Sequence, residues 1–163
     1  MKRIILLSDT HHTLDERFYK HFRSADEIWH AGDIGSFEIT DKLNEFADTK
    51  AVWGNIDNSI LRKEFEKTLY FKCESVKILM THIGGYPGNY KKEILTLIKE
   101  KKPDLFISGH SHILKIMYDK KNQLLHMNPG AIGNTGIHTV KTILSFIINK
   151  KEIKDLKIIE FPR

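Results

Sequence analysis

Five short aliphatic runs in this chain each stop at residue types that ligate metals. Ile4-Ile5-Leu6-Leu7-Ser8 runs into Asp9-Thr10-His11, Ile28-Trp29-His30-Ala31-Gly32 into Asp33, and Ala51-Val52-Trp53-Gly54 into Asn55. Ile78-Leu79-Met80-Thr81 runs into His82, and Leu105-Phe106-Ile107-Ser108-Gly109 into His110-Ser111-His112. Continuous apolar runs this short, bounded by polar residues, predict strands buried on both faces of a sheet. In an α/β sheet the carboxyl ends of such strands share one edge, where ligands bind. The pattern therefore predicts a crevice holding two carboxylates, one amide and four imidazoles. Singly, each motif has a plainer use: Asp9 and Asp33 suit helix caps, and His82 alone suits a satisfied, half-buried histidine. An ordered series of such endings does not reduce to those uses.

The donor types narrow the chemistry. Imidazole suits zinc, iron, nickel or manganese, whereas carboxylate and amide oxygens favour harder ions such as manganese or magnesium. Seven donors exceed one tetrahedral site. They suit two ions sharing a carboxylate, and a pair ~3.5–4 Å apart is the usual arrangement for cleaving phosphate esters. The glycines before Asp33, Asn55 and His110 are expected to turn the backbone sharply into the crevice. Without cations, such a cluster would suffer repulsion and desolvation.

The remaining elements follow from periodicity. Lys2–Ser8, Glu27–His30, Ala51–Trp53, Val76–Met80 and Leu105–Ser108 read as strands, and Thr13–Phe22, Phe37–Phe46 and Tyr90–Lys99 as helices, with Ser36 a candidate cap and Pro103 a stop. From Ile113 the pattern becomes hairpins: Ile113–Tyr118, Leu124–Met127, Thr139–Ile148 and Ile153–Ile159, joined through Asp119–Gln123 and Asn149–Lys151. A β/α portion followed by antiparallel strands predicts a mixed sheet, or two packed sheets, with helices outside. No repeat or linker divides the chain, so residues 1–163 are expected to form one domain.

Composition excludes several alternatives. Cys73 is the lone cysteine, which rules out a disulfide scaffold or thiolate cluster. The opening apolar run is short and lacks a small-residue cleavage site, and no run reaches membrane-spanning length, so a cytoplasmic protein without membrane attachment is expected. The net charge of +5 tolerates a phosphate-bearing partner, but no dense basic block or base-reading motif points to nucleic acid. The chain offers no evident sign of oligomeric state, and a homo-oligomer is compatible with it.

The ordered series Asp9-Thr10-His11, Gly32-Asp33, Gly54-Asn55-Ile56-Asp57, His82 and Gly109-His110-Ser111-His112 resembles the calcineurin-like metallophosphoesterases. Together with Asn128-Pro129-Gly130-Ala131 and the short length, it is similar to the small, YfcE-like phosphodiesterase branch, to which a retromer scaffold subunit is related. The resemblance implies an α/β (α+β) fold: a four-layer α-β-β-α sandwich of two mixed sheets flanked by helices. It implies a first metal held by Asp9, His11, Asp33 and His112, with Asp33 bridging to a second metal completed by Asn55, His82 and His110. Asp33, Asn55 and His82 take the catalytic positions. The implied cofactors are two divalent ions, manganese foremost, with iron, nickel, zinc or magnesium as alternatives. The implied reaction is in-line attack on a small phosphate ester, more readily a diester, by a hydroxide held between the metals. The alternative is a non-catalytic protein-binding scaffold on the same fold.

Two positions depart from that family. The residue after Asn55 is His in the larger phosphatases and usually Cys in the small branch; here it is Ile56, and losing a general acid typically costs ~10²–10⁴-fold. Small-branch enzymes often read T-H-G-H, where this chain has Thr81-His82-Ile83-Gly84. Substrate contacts are read at His12, Asn55 and Asn128, each with a bland counterpart: His12 as a solvated loop residue, Asn128 as a turn residue before Pro129. His30 reads as packing or as support for a ligand, and His126 and His138 as weak candidates. Gly84–Tyr90 is either a substrate-side flap with stacking tyrosines or an ordinary turn into a helix.

Overall fold

The computed structural model describes all residues, Met1–Arg163. Its strands are β1 (Lys2–Leu7), β2 (Glu27–His30), β3 (Asp48–Ala51), β4 (Thr68–Cys73), β5 (Val76–Thr81), β6 (Gly85–Tyr86), β7 (Asn89–Tyr90), β8 (Leu105–Ile107), β9 (Leu114–Asp119), β10 (Leu124–Pro129), β11 (Val140–Asn149) and β12 (Glu152–Pro162). The helices are α1 (Tyr19–Phe22, preceded by a 3-10 turn at Glu16–Phe18), α2 (Phe37–Asn44), α3 (Ser59–Glu64) and α4 (Lys92–Lys101).

Ten of these strands build two mixed sheets, ordered β12-β11-β1-β2-β3 and β4-β5-β8-β10-β9. β1, β2 and β3 are mutually parallel, as are β5, β8 and β10, while β11 and β12 on one sheet and β4 and β9 on the other run antiparallel to their neighbours. The strand centres are aliphatic because both faces are covered. Ile4, Leu6, Trp29, Leu144 and Phe146 meet Ile78, Met80, Leu105, Ile107 and Met127 between the sheets. On the outer face of the first sheet, Ile5, Leu7 and Ile28 pack on Phe18, Phe22, Ile39 and Leu43 from the α1 and α2 region. On the outer face of the second, Leu79, Phe106 and Leu124 pack on Ile94 and Ile98 of α4. The result is the expected α-β-β-α sandwich. No helix is long and apolar enough to cross a membrane.

Several local expectations need correction. The segment read as a helix over Thr13–Phe22 is a 3-10 turn capped by Asp15 and one turn of α1. β3 lies at Asp48–Ala51 rather than Ala51–Trp53, and Val52 makes only an isolated bridge to Glu66. α3 and β4 were not expected at all. Ser36 occupies the cap position of α2, but its hydroxyl bonds Glu38 instead of the helix backbone. The Gly84–Tyr90 segment is a small hairpin of β6 and β7 turning at Gly88.

Candidate metal centre

The parallel strands of each sheet deliver their carboxyl ends to one edge, and the two edges are joined there. Gly109 N–H donates to the His82 carbonyl at 3.0 Å, His110 N–H to Asp9 Oδ2 at 3.1 Å, and His82 Nδ1 lies 2.8 Å from the Ala31 carbonyl. Turning side chains inward at these strand ends requires unusual backbone. Asp9, His11, Asp33, His110 and His112 all have positive φ, between 45° and 69°. Such conformations are uncommon outside glycine and cost on the order of 1–3 kcal/mol each, so they persist where surrounding structure imposes them, characteristically at functional sites.

The glycines work differently from expectation. Gly32, at φ 97°, does supply a turn. Gly54 and Gly109 are not in that region; what they supply is space. A Cβ on Gly54 would lie 2.1 Å from Asp33 Oδ1, and one on Gly109 would lie 2.2 Å from Ser8 Oγ and 3.1 Å from Asp9 Oδ2. The turning itself is done by Asp33 and His110.

All seven expected ligand residues arrive at this edge, six of them in two compact groups. Asp9, His11 and His112 form one group and Asp33, His82 and His110 the other, with ligand atoms inside each lying within 4.8 Å of one another. Asn55 joins the second, its Oδ1 3.1 Å from His82 Nε2. Asp33 Oδ2 stands between the groups, 3.4 Å from His11 Nε2 and 3.2 Å from His82 Nε2. Its other oxygen accepts the Ile56 N–H at 3.0 Å. Asp9 is divided in the same way. Oδ2 accepts from the Ser8 hydroxyl at 2.6 Å and from His110 N–H, whereas Oδ1 lies 3.1 Å from His112 Nε2.

The electrostatics match. Burial alone would raise the Asp9 carboxyl, but the neighbouring His11 and His112 imidazoles outweigh it and hold the group well below the usual carboxylate range. Asp33 is likewise lowered against its burial, chiefly by His82. His11 is raised, above all by the neighbouring Asp9 carboxylate, while burial lowers His110. Both carboxylates are therefore ionised acceptors at neutral pH.

Two buried atoms of the first group, Asp9 Oδ1 and His11 Nε2, have no hydrogen-bond partner. A buried polar atom left bare costs about 1–3 kcal/mol, and a cation between these donors removes that cost. The mixed nitrogen and oxygen donor set fits divalent transition ions, so the residues present suit the expected metals.

A supporting layer holds the ligands. His138 Nε2–H donates to the Gly133 carbonyl at 3.0 Å, and its Nδ1 lies 3.2 Å from His112 Nδ1. With Nε2–H given to the carbonyl, His138 Nδ1 takes the His112 Nδ1–H, leaving the His112 Nε2 lone pair for a metal. His82 is fixed in the same tautomer by the Ala31 carbonyl. Buried Asp57 accepts from the backbone N–H groups of Ile34, Gly35 and Gly54 at 3.1, 2.7 and 2.7 Å, tying the Asp33 loop to the Asn55 loop. Arg62 donates to the carbonyls of Asp57 and Asn55 and stacks over Trp53. His30 is fully buried, linking Thr10 Oγ1 and Gly32 N–H beneath the ligand loops. Arg62 had no sequence signal and His138 was only a weak candidate, because each reaches its partner through loop geometry.

The candidate substrate contacts separate. Asn55 stands at the centre. Asn128 lines a cleft beside it, but its amide is committed to Gly109 and Ser111, and its Oδ1 to Gly130 N–H, so it braces the His110–His112 loop. His12 is exposed, lies against Gly35, and lines neither cleft flanking the centre. One of those clefts includes the Gly84–Lys91 segment, Ser108–Ser111, Lys115 and His126. The other includes Trp53–Asn55, Arg62, Lys67, His82 and Glu93; Ile83 and Lys91 line both.

Comparison with known proteins agrees with this geometry. The family model described as calcineurin-like phosphoesterase superfamily domain matches residues 1–151. A probable metallophosphoesterase of Methanocaldococcus jannaschii is 33% identical over 133 residues, covering 77% of this chain but only 66% of its own length. Another from Methanothermobacter thermautotrophicus is 29% identical over 131 residues, covering 77% of this chain and 74% of its own. Among solved structures, wild-type Vps29 of Entamoeba histolytica, complexed with zinc, superposes with a TM-score of 0.75 at 18% identity over 98% of each chain. A structure described as a novel archaeal phosphodiesterase has a TM-score of 0.72 at 22% identity, covering 96% of this chain and 99% of its own.

Proposed function

We propose that this chain, which belongs to the calcineurin-like phosphoesterase superfamily, is a dinuclear metal-dependent phosphodiesterase. The observation that carries the reading is the pair of ligand groups with Asp33 Oδ2 between them, together with the unpartnered Asp9 Oδ1 and His11 Nε2. Asp9, His11, Asp33 and His112 would hold one ion, and Asp33, Asn55, His82 and His110 the other. Divalent ions there, manganese foremost, would supply an acidified water as nucleophile and positive charge against the phosphoryl oxygens.

The chain's own residues set the rest. His112 and His82 present Nε2 lone pairs because His138 and Ala31 occupy their Nδ1 sides. Asn55 and His110 are exposed at the crevice mouth, where a phosphoryl group arrives. Ile56, following Asn55, has no proton to give, so a leaving group must be acidic enough to depart unassisted. Two clefts flank the centre, one beside His110 and one beside Asn55, which suits a phosphorus carrying two organic substituents. Ile56 and the twin clefts together favour a diester over a monoester, acting on a small substrate.

Metal-free protein reconstituted with manganese should hydrolyse bis-aryl phosphate faster than the mono-aryl ester, and Asp33→Ala should remove that activity. Folded, metal-loaded protein that turns over neither ester would refute the proposal in favour of a binding scaffold. Asp33→Ala with full activity would refute the bridging role.

A further inference from the structure

The cleft on the His110 side has a cavity of about 400 Å³ and a composition unlike that of the metal centre. Part of its wall is planar or apolar: the Tyr86 ring, Ile83, Ile113 and the bare backbone of Gly84, Gly85 and Gly109. Lys115 lies over Tyr86, with Nζ 4.4 Å from the ring centroid. Among the side chains that line the cleft, those of buried Ser108 and Asn128 and half-buried Tyr90 already have partners. The Tyr90 hydroxyl donates to Asp119, Ser108 donates to the Gly85 carbonyl, and the Asn128 amide is committed to the His110–His112 loop. Buried His126 has none. It is 1% exposed, stacked on Phe106 with centroids 5.4 Å apart, and neither ring nitrogen has a hydrogen-bond partner.

A neutral imidazole offers one donor and one acceptor. Burial pushes His126 down to about 4, so it is neutral at physiological pH. Facing this cleft, it can answer one donor or acceptor at the edge of a flat heterocycle, whose ring can lie beside Tyr86. An aliphatic substituent would leave both nitrogens unanswered, and a sugar would offer the Tyr86 ring no flat partner. The hairpin of β6 and β7, with Gly85 and Gly88 at positive φ, contributes Gly85, Tyr86, Asn89 and Tyr90 to the wall, Tyr86 lying just before the turn.

We infer that this cleft is a base-binding subsite: it takes a nucleobase-type heterocycle borne by one substituent of the diester, with the ring beside Tyr86 and its hydrogen-bonding edge toward His126. As a substrate subsite this rests on the phosphodiesterase reading, but binding of the ring is measurable without turnover. The subsite makes the two ester arms unequal. The base-bearing arm lies on the His110 side, and the other lies toward Arg62, Lys67 and Lys91.

The test is calorimetric titration of manganese-loaded protein with adenosine 5′-monophosphate and with ribose 5-phosphate, which differ only by the base. The nucleotide should bind about tenfold or more tightly, since a site built to hydrogen-bond a group discriminates strongly against its absence. His126→Phe, which keeps the stacking plane, and Tyr86→Ala, on the exposed hairpin, should each bring the two affinities to within about threefold. Equal affinities in the wild-type protein overturn the inference, as does a preference that survives both substitutions. Base-dependent binding without hydrolysis of any aryl ester would sustain the subsite and refute the phosphodiesterase reading.

Discussion

Asp57 offers the sharpest test of how the centre is built. Its carboxylate accepts three backbone N–H groups, from Ile34, Gly35 and Gly54, and the residue is 2% exposed. Asp57→Ala leaves three buried donors without an acceptor. At ~1–3 kcal/mol per orphaned group, offset partly by no longer burying a charge, the net loss is about 3–5 kcal/mol. For a domain of this size that lowers Tm by about 10 °C, taking ~2–4 °C per kcal/mol. The loops released are those of Asp33 and Asn55, so manganese affinity should fall about 10–100-fold, as it does when residues supporting a metal ligand are removed. Circular-dichroism melts in chelator measure the first effect, and calorimetric manganese titration the second. A variant with wild-type Tm and wild-type metal affinity would refute the claim that Asp57 couples the two loops. A large drop in Tm with intact affinity would restrict Asp57 to a structural role.

Other outcomes follow from single distances. Gly54→Ala would push a methyl group into Asp33 Oδ1, so manganese-stimulated hydrolysis of bis-aryl phosphate should fall at least about tenfold, as expected for a small displacement of a reacting group; unchanged kinetics would show that the approach is not tight. His138→Phe removes the acceptor for His112 Nδ1–H and should weaken manganese binding ~10–100-fold, read by competition with a chelating dye. His126, held neutral down to about 4, contributes stability that is full above the unfolded pKa of about 6.5 and lost as pH falls toward 4. Urea melts in chelator at pH 7.5 and 4.5 should therefore show His126→Phe losing about 2–3 kcal/mol less than wild type; equal losses would count against it.

How much of this was legible in the sequence depended on burial. β1, β2, β5 and β8 are covered on both faces over most of their length, so each carries an apolar run (Ile4–Leu7, Ile28–Trp29, Ile78–Met80, Leu105–Ile107) that ends at polar residues. β3 is an edge strand in which only Ala51 is buried, so the apolar signal fell on Val52 and Trp53 just beyond it. β4 is also an edge strand with mostly half-buried residues, and α3 is too short to show a helical period. The ligand positions were legible because each follows an apolar run. Their left-handed backbones were not, since positive φ at His11 or His112 arises from the crowding of neighbouring loops rather than from the residue itself. The supporting bonds were hidden for a related reason: His138 and His112 are joined by loops with no periodic pattern.

The two ligand groups each draw on both sheets. Asp9 and His11 follow β1 while His112 follows β8; Asp33 follows β2 while His82 and His110 follow β5 and β8. Every ion held there would be a cross-link between sheets, in a protein whose only cysteine, Cys73, is buried and unpaired. Closing a loop of about 100 residues can restrict an unfolded chain by up to ~4–5 kcal/mol. Unlike a disulfide, this closure reverses with the free ion concentration. The resistance of the fold to unfolding would then rise and fall with metal supply, so that the same ions equip the crevice for chemistry and fasten the two halves of the sandwich together.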